Sequence, residues 1–74
     1  MNDTDRVAGR EVQTAVFAVI PEFHLVKVRA EDGFEYSLTR ATPGVDLSTL
    51  RPGDQVRCVV SRRLPRVISA RKTD

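Results

Sequence analysis

The stretch His24-Leu25-Val26-Lys27-Val28-Arg29-Ala30-Glu31-Asp32-Gly33-Phe34-Glu35-Tyr36-Ser37-Leu38-Thr39 decides the fold. Val26, Val28 and Ala30 alternate with Leu25, Lys27 and Arg29. After an Asp-Gly pair, Phe34, Tyr36 and Leu38 alternate with Glu35, Ser37 and Thr39. A period of two is the mark of a strand with one buried face, so the stretch predicts a hairpin. The turn fixes its register. A two-residue Asp32-Gly33 turn would pair Arg29 with Tyr36 and Lys27 with Leu38, mixing charged and apolar groups on one face. A three-residue loop, Glu31-Asp32-Gly33, instead pairs Ala30 with Phe34, Val28 with Tyr36 and Val26 with Leu38, and sets Arg29 opposite Glu35. This register keeps the faces separate. It requires one left-handed residue at the end of the loop, which Gly33 adopts without steric cost.

Upstream of the hairpin, Glu11 to Ile20 reads as a long first strand. It is apolar at nearly every position after Thr14, as expected of a strand buried on both sides for part of its length. Pro21, which lacks a ladder donor, ends it. Downstream, Thr42-Pro43-Gly44-Val45 and Arg51-Pro52-Gly53-Asp54 each place Pro then Gly as a type II turn requires. Between them, Asp46 can cap a short helical turn over residues 47–50. A fourth strand follows from Gln55 to Ser61, with Val56, Cys58 and Val60 on one face. The connection Arg62-Arg63-Leu64-Pro65-Arg66 leads to a fifth from Val67 to Arg71. No segment holds a helical apolar period for three turns. The predicted class is therefore all-β, a five-stranded Greek-key barrel of the OB type with one short helical turn between strands three and four. The alternative is an SH3-like barrel, which places its helical turn before the last strand. The expected core is Val16, Val26, Val28, Phe34, Tyr36, Leu38, Val56, Cys58, Val60 and Ile68. The barrel spans residues 11–71, between flexible ends at 1–10 and 72–74.

The 74 residues carry twelve basic and ten acidic side chains, and the charge is unevenly placed. Residues 55–74 hold Arg57, Arg62, Arg63, Arg66, Arg71 and Lys72 against a single acid, Asp74. Ten of the twelve cations are arginine, whose planar, weakly hydrated fork suits phosphate and carboxylate. The longest apolar run, residues 15–20, is far too short to span a membrane. Cys58 is the only cysteine, so no disulfide supports this small core. A lone thiol and a polar N-terminus without a secretory signal point to the reducing cytoplasm.

The segment Leu50-Arg51-Pro52-Gly53-Asp54-Gln55-Val56, followed by Arg66-Val67-Ile68, resembles the second half of single-domain RNA-binding OB folds. That family includes the smallest bacterial translation initiation factor and the OB repeats of the largest small-subunit ribosomal protein. In the first half, Val16, Pro21, Phe23, Val26 and Asp32-Gly33 fall at similar places, so the likeness covers residues 11–71. Two features depart from the initiation factor: residues 41–46 carry no basic side chain, and strand one, read from Glu11, has no early glycine. The resemblance implies an OB domain of that general type, with single-stranded RNA as its ligand.

OB barrels bind across strands two and three, flanked by the loops joining strands one and two and strands four and five. That rule selects Phe23 in the first loop, Lys27 and Arg29 on the outward face of strand two, and Arg62, Arg63 and Arg66 in the last loop. Cations beside an exposed aromatic suit single-stranded nucleic acid, because phosphates need positive charge and bases need a flat partner. The competing reading is a protein-interaction domain that uses an exposed barrel edge or the surface of Leu25, Val59 and Leu64, with no nucleic-acid ligand. Arg57 and Arg71 are expected to face each other across strands four and five. No cofactor, metal or catalytic set is expected. His24 stands alone beside Glu22, far short of the convergent ligands a metal needs. Cys58 alternates with Val56 and Val60 and reads as a buried small hydrophobe.

Overall fold

A computed structural model describes residues 9–61 and 66–73. Five strands form one sheet: β1 (Gly9–Ile20), β2 (Leu25–Ala30), β3 (Glu35–Thr39), β4 (Gln55–Ser61) and β5 (Val67–Lys72). Their spatial order is β3-β2-β1-β4-β5, and every neighbouring pair is antiparallel. The sheet curls into a half-barrel around one core. Short 3-10 turns at Pro21–Phe23 and Leu47–Thr49 are its helical elements among the described residues. None of these is long or apolar enough to cross a membrane.

The β2–β3 hairpin has the register that separates its faces. Val26 pairs with Leu38, Val28 with Tyr36 and Arg29 with Glu35. The Ala30 amide donates to the Phe34 carbonyl at 2.8 Å and the Gly33 amide donates back to the Ala30 carbonyl at 2.9 Å. Gly33 is left-handed at φ 89°, and the Asp32 carboxylate accepts from the Phe34 amide at 2.9 Å, which closes the loop. The inward side chains Val26, Val28, Tyr36 and Leu38 are all buried. They meet Val16, Val56, Cys58, Val60, Leu50 and Ala70 in a single cluster. Thr14 joins this interior and satisfies its hydroxyl on the Val56 carbonyl at 2.9 Å. Burial pushes the Cys58 thiol up, so it stays protonated at neutral pH.

Val28 is fully buried on the central hairpin. Val28→Ala is therefore expected to cost about 2 kcal/mol, from lost burial and the cavity left behind. A thermal melt of this variant that overlays the wild type would refute the face assignment.

Two expected core residues lie elsewhere. Phe34 has the inward parity but is 53% exposed. It stands at the mouth of the hairpin, where β3 and β5 are not paired, so no wall faces it. Its main ring contact is edge-on to Tyr36, with centroids 5.5 Å apart. Ile68 is 39% exposed because β5 is irregular. Cys58 pairs with Ala70 and Arg57 with Arg71 as expected, but the register breaks after Val59 and Val60 pairs with Val67 instead of Ile68. The extra residue turns Ile68 out and packs Val67 against the core.

The β3–β4 connection is fastened at both ends. Asp46 accepts from the Ser48 hydroxyl at 2.7 Å and the Ser48 amide at 3.0 Å, bonds that hold its carboxyl below the usual range. In the 51–54 turn, Asp54 accepts from the Arg51 amide at 2.9 Å and lies 3.3 Å from Lys72. The Arg51 bond, with Lys72 beside it, likewise holds the Asp54 carboxyl down. The same turn clamps β1: Val16 donates to the Asp54 carbonyl at 2.9 Å and accepts from the Gly53 amide at 2.8 Å.

Candidate nucleic-acid interface

The outward face of β1, β2 and β3 is set by one irregularity. Along β1–β2, Val16 pairs with Val28, but the next pair is Ala18 with Lys27. Phe17 is the extra residue of a β-bulge, so two consecutive side chains, Phe17 and Ala18, turn outward while Val16 and Val19 both face the core. Phe17 is 38% exposed. The Arg29 guanidinium lies over its ring, 4.4 Å from the centroid. Attraction between the cation and the ring's negative face favours this geometry. Arg29 also donates to Glu35 across the strand pair at 2.8 Å. Both partners of that bridge are about half exposed, so it orients the guanidinium more than it stabilises the fold.

Lys27 occupies the next position on the same face, between Ala18 on β1 and Ser37 on β3. It makes no salt bridge among the described residues. Beyond Ile20 and Leu25, the face ends at the 3-10 turn of Pro21–Phe23. This turn is ended by His24, left-handed at φ 50°, whose amide donates to the Pro21 carbonyl at 3.0 Å. That reversal leaves Phe23 73% exposed, the most solvent-accessible of the exposed large hydrophobic side chains. Past the free edge of β3, Glu35, Ser37 and the exposed Arg66 line one open groove between β3 and β5. The Arg66 carbonyl accepts from the Ser61 amide at 2.9 Å, which ties it to the end of β4.

Lys27 and Arg29 thus share the outward face of β2, Arg66 lies across the β3 edge in the β3–β5 groove, and Phe23 stands in the β1–β2 turn. Arg62 and Arg63 lie outside the described residues, as does Leu64 of the competing surface. Leu25 and Val59 are half-buried. They sit on β2 and β4, two strands kept apart by β1, and form no joint patch. Phe17 is absent from the site residues that the sequence selects, which take Phe23 as the stacking ring. Arg57 and Arg71 do face each other. Arg57 is turned toward β1, where it meets Glu11 at 3.5 Å and Gln13 at 3.2 Å. Among the described residues, no group of three or more His, Cys, Asp or Glu side chains could hold a metal ion.

Comparisons with protein-family models, curated proteins and solved structures return no match for this chain, so its function is read from its own side chains.

Proposed function

We propose that the chain is an OB-type module that binds single-stranded RNA through the outward face of β1–β3 and performs no catalysis. Support for the barrel type comes from the strand order. A central β1 that pairs with both β2 and β4, and a helical turn between β3 and β4, are parts of the OB plan. An SH3-like barrel would carry that turn before its last strand. The observation that carries the ligand is the Phe17–Arg29 stack beside Lys27. An aromatic ring and two cations on one outward strip offer what a flexible single strand presents, flat bases and phosphates at short intervals. The exposed ring of Phe23 extends the strip by one stacking position. A preference for RNA over DNA rests on the likeness to RNA-binding OB domains.

Binding is electrostatic in part, so it falls with salt. Log affinity drops with log salt by about 0.7 per phosphate neutralised on a single strand. Titrating labelled single-stranded RNA at two salt concentrations is expected to give a slope of about two to three for Lys27, Arg29, Arg66 and their neighbours. Lys27→Ala with Arg29→Ala flattens that slope for every sequence, because phosphate contacts carry no sequence information. Phe23→Ala weakens binding by about 1–3 kcal/mol while leaving the salt slope unchanged, as loss of a stacked base requires. Absence of binding at low salt would refute the reading. The exposed Ile68, which lines the open β3–β5 groove, would then mark the place to look for a protein partner.

A further inference from the structure

The sheet register creates a second feature beside the Phe17–Arg29 stack. Ala15 pairs with Arg29 on one side and with Gln55 on the other, so these three outward residues form one row across β2, β1 and β4. The smallest side chain lies in the middle. The resulting depression has a volume of about 410 Å³ and is walled by Phe17, Arg29 and Glu31 on one side and by Gln13 and Gln55 on the other. That is within the range of sites for small flat ligands.

The amides of the second wall are oriented by a chain of hydrogen bonds. Arg57 Nε can only donate, and it donates to Gln13 Oε1 at 3.2 Å. This fixes which end of the Gln13 amide is oxygen. Its nitrogen then donates to Thr73 Oγ1 at 3.1 Å and to Gln55 Oε1 at 3.3 Å. Gln55 therefore keeps one lone pair on Oε1 and both protons on Nε2, with no protein partner for Nε2 among the described residues. A donor and an acceptor stand side by side, held in place, facing a cation stacked on an aromatic ring.

We infer that this depression is a base-reading subsite, and that the base it selects is adenine. The inference rests on the RNA-binding reading and adds sequence preference to it. A base laid against the Arg29 guanidinium extends the Phe17–Arg29 stack, and the double ring of a purine covers more of it than a pyrimidine does. Adenine presents the N6 amino donor next to the N7 acceptor, which match Gln55 Oε1 and Nε2 as a bidentate pair. Guanine presents two acceptors on that edge and leaves Gln55 Oε1 unmatched, so it fits only by its N1–O6 edge, as each pyrimidine fits by one edge, whereas adenine fits by both N6–N7 and N6–N1. Arg57 and Gln13 act as positioning residues for Gln55.

The test uses the whole chain and short fluorescent oligo(A), oligo(U) and oligo(C), titrated at low salt. Oligo(A) is expected to bind about ten-fold tighter than the pyrimidine strands. Gln55→Leu lowers the oligo(A) affinity to the level of the pyrimidine strands and leaves the salt slope unchanged, since Gln55 is exposed and contributes no charge. Ala15→Leu, which fills the floor, gives the same loss by another route, and unchanged circular dichroism shows that both variants fold. Equal affinity for all three strands would overturn the subsite and leave the RNA-binding reading intact. A preference for oligo(A) that survives Gln55→Leu would also overturn it. Failure of every strand to bind would overturn both.

Discussion

Leu38→Ala is expected to bring the domain close to its folding limit. Leu38 is fully exposed to the core and not at all to water, and it is among the largest completely buried side chains. It lies on β3, which pairs with β2 alone, so its packing does much of the work of holding that edge strand to the core. Removing three carbons from such a site costs about 3–4 kcal/mol, because transfer energy is lost and a cavity remains. A domain of this length has roughly 4–11 kcal/mol of total stability. Urea unfolding of the variant is expected to show a midpoint far below the wild type, with a large unfolded fraction before denaturant is added if the starting stability is low. A midpoint within experimental error of the wild type would mean that the side chain is not in the core.

Gly44→Ala is expected to have an effect of similar size through the backbone. Gly44 sits at φ 92°, where an L side chain is strained by about 1–2 kcal/mol. A Cβ there would also run into the Ala70 carbonyl oxygen on β5. This close approach exists because the Ala70 amide donates to the Pro43 carbonyl at 3.0 Å, which fastens the β3–β4 connection to the free edge of β5. Any shift that relieves the clash loosens this bond as well, at about 1 kcal/mol. The sum is about 2–3 kcal/mol. Gly33→Ala provides the control. Gly33 has nearly the same φ, 89°, but open space around the missing Cβ. It is expected to lose only the strain, about 1–2 kcal/mol. Equal losses at the two positions would show that the connection does not press on β5.

The β2–β3 hairpin was legible in the sequence because its alternation and its turn agree on one register. The Asp32-Gly33 pair alone would have allowed two registers, and face separation chose between them. Strand four was legible for the same reason, since Val56, Cys58 and Val60 keep a strict period of two. The failures occur where that period breaks. The inward residues Val16 and Val19 are three apart, and only a bulge can place both inside. In an unbroken apolar run nothing marks which residue is the extra one, so the sequence assigns Phe17 to neither face. The break after Val59 misplaced Ile68 in the same way. Phe34 was misjudged for a different reason. Parity along a strand tells which way a side chain points, but not whether anything stands opposite, and the open β3–β5 edge leaves it facing solvent. At the candidate site, Lys27 and Arg29 followed from parity alone. The Phe17 stack and the Gln13–Gln55 amide pair depend on pairings between β1, β2 and β4, which no local pattern encodes.

The central claim is that RNA binds the outward face of β1–β3, and amide chemical-shift mapping of the isotope-labelled protein tests it most directly. Adding single-stranded RNA at low salt is predicted to shift the resonances of Ala15, Phe17, Ala18, Lys27, Arg29 and Ser37 first, with Phe23 and Arg66 following as the strand lengthens. Shifts confined to Val59, Ser69 and Arg71 on the β4–β5 side, or no shifts at any residue, would contradict it.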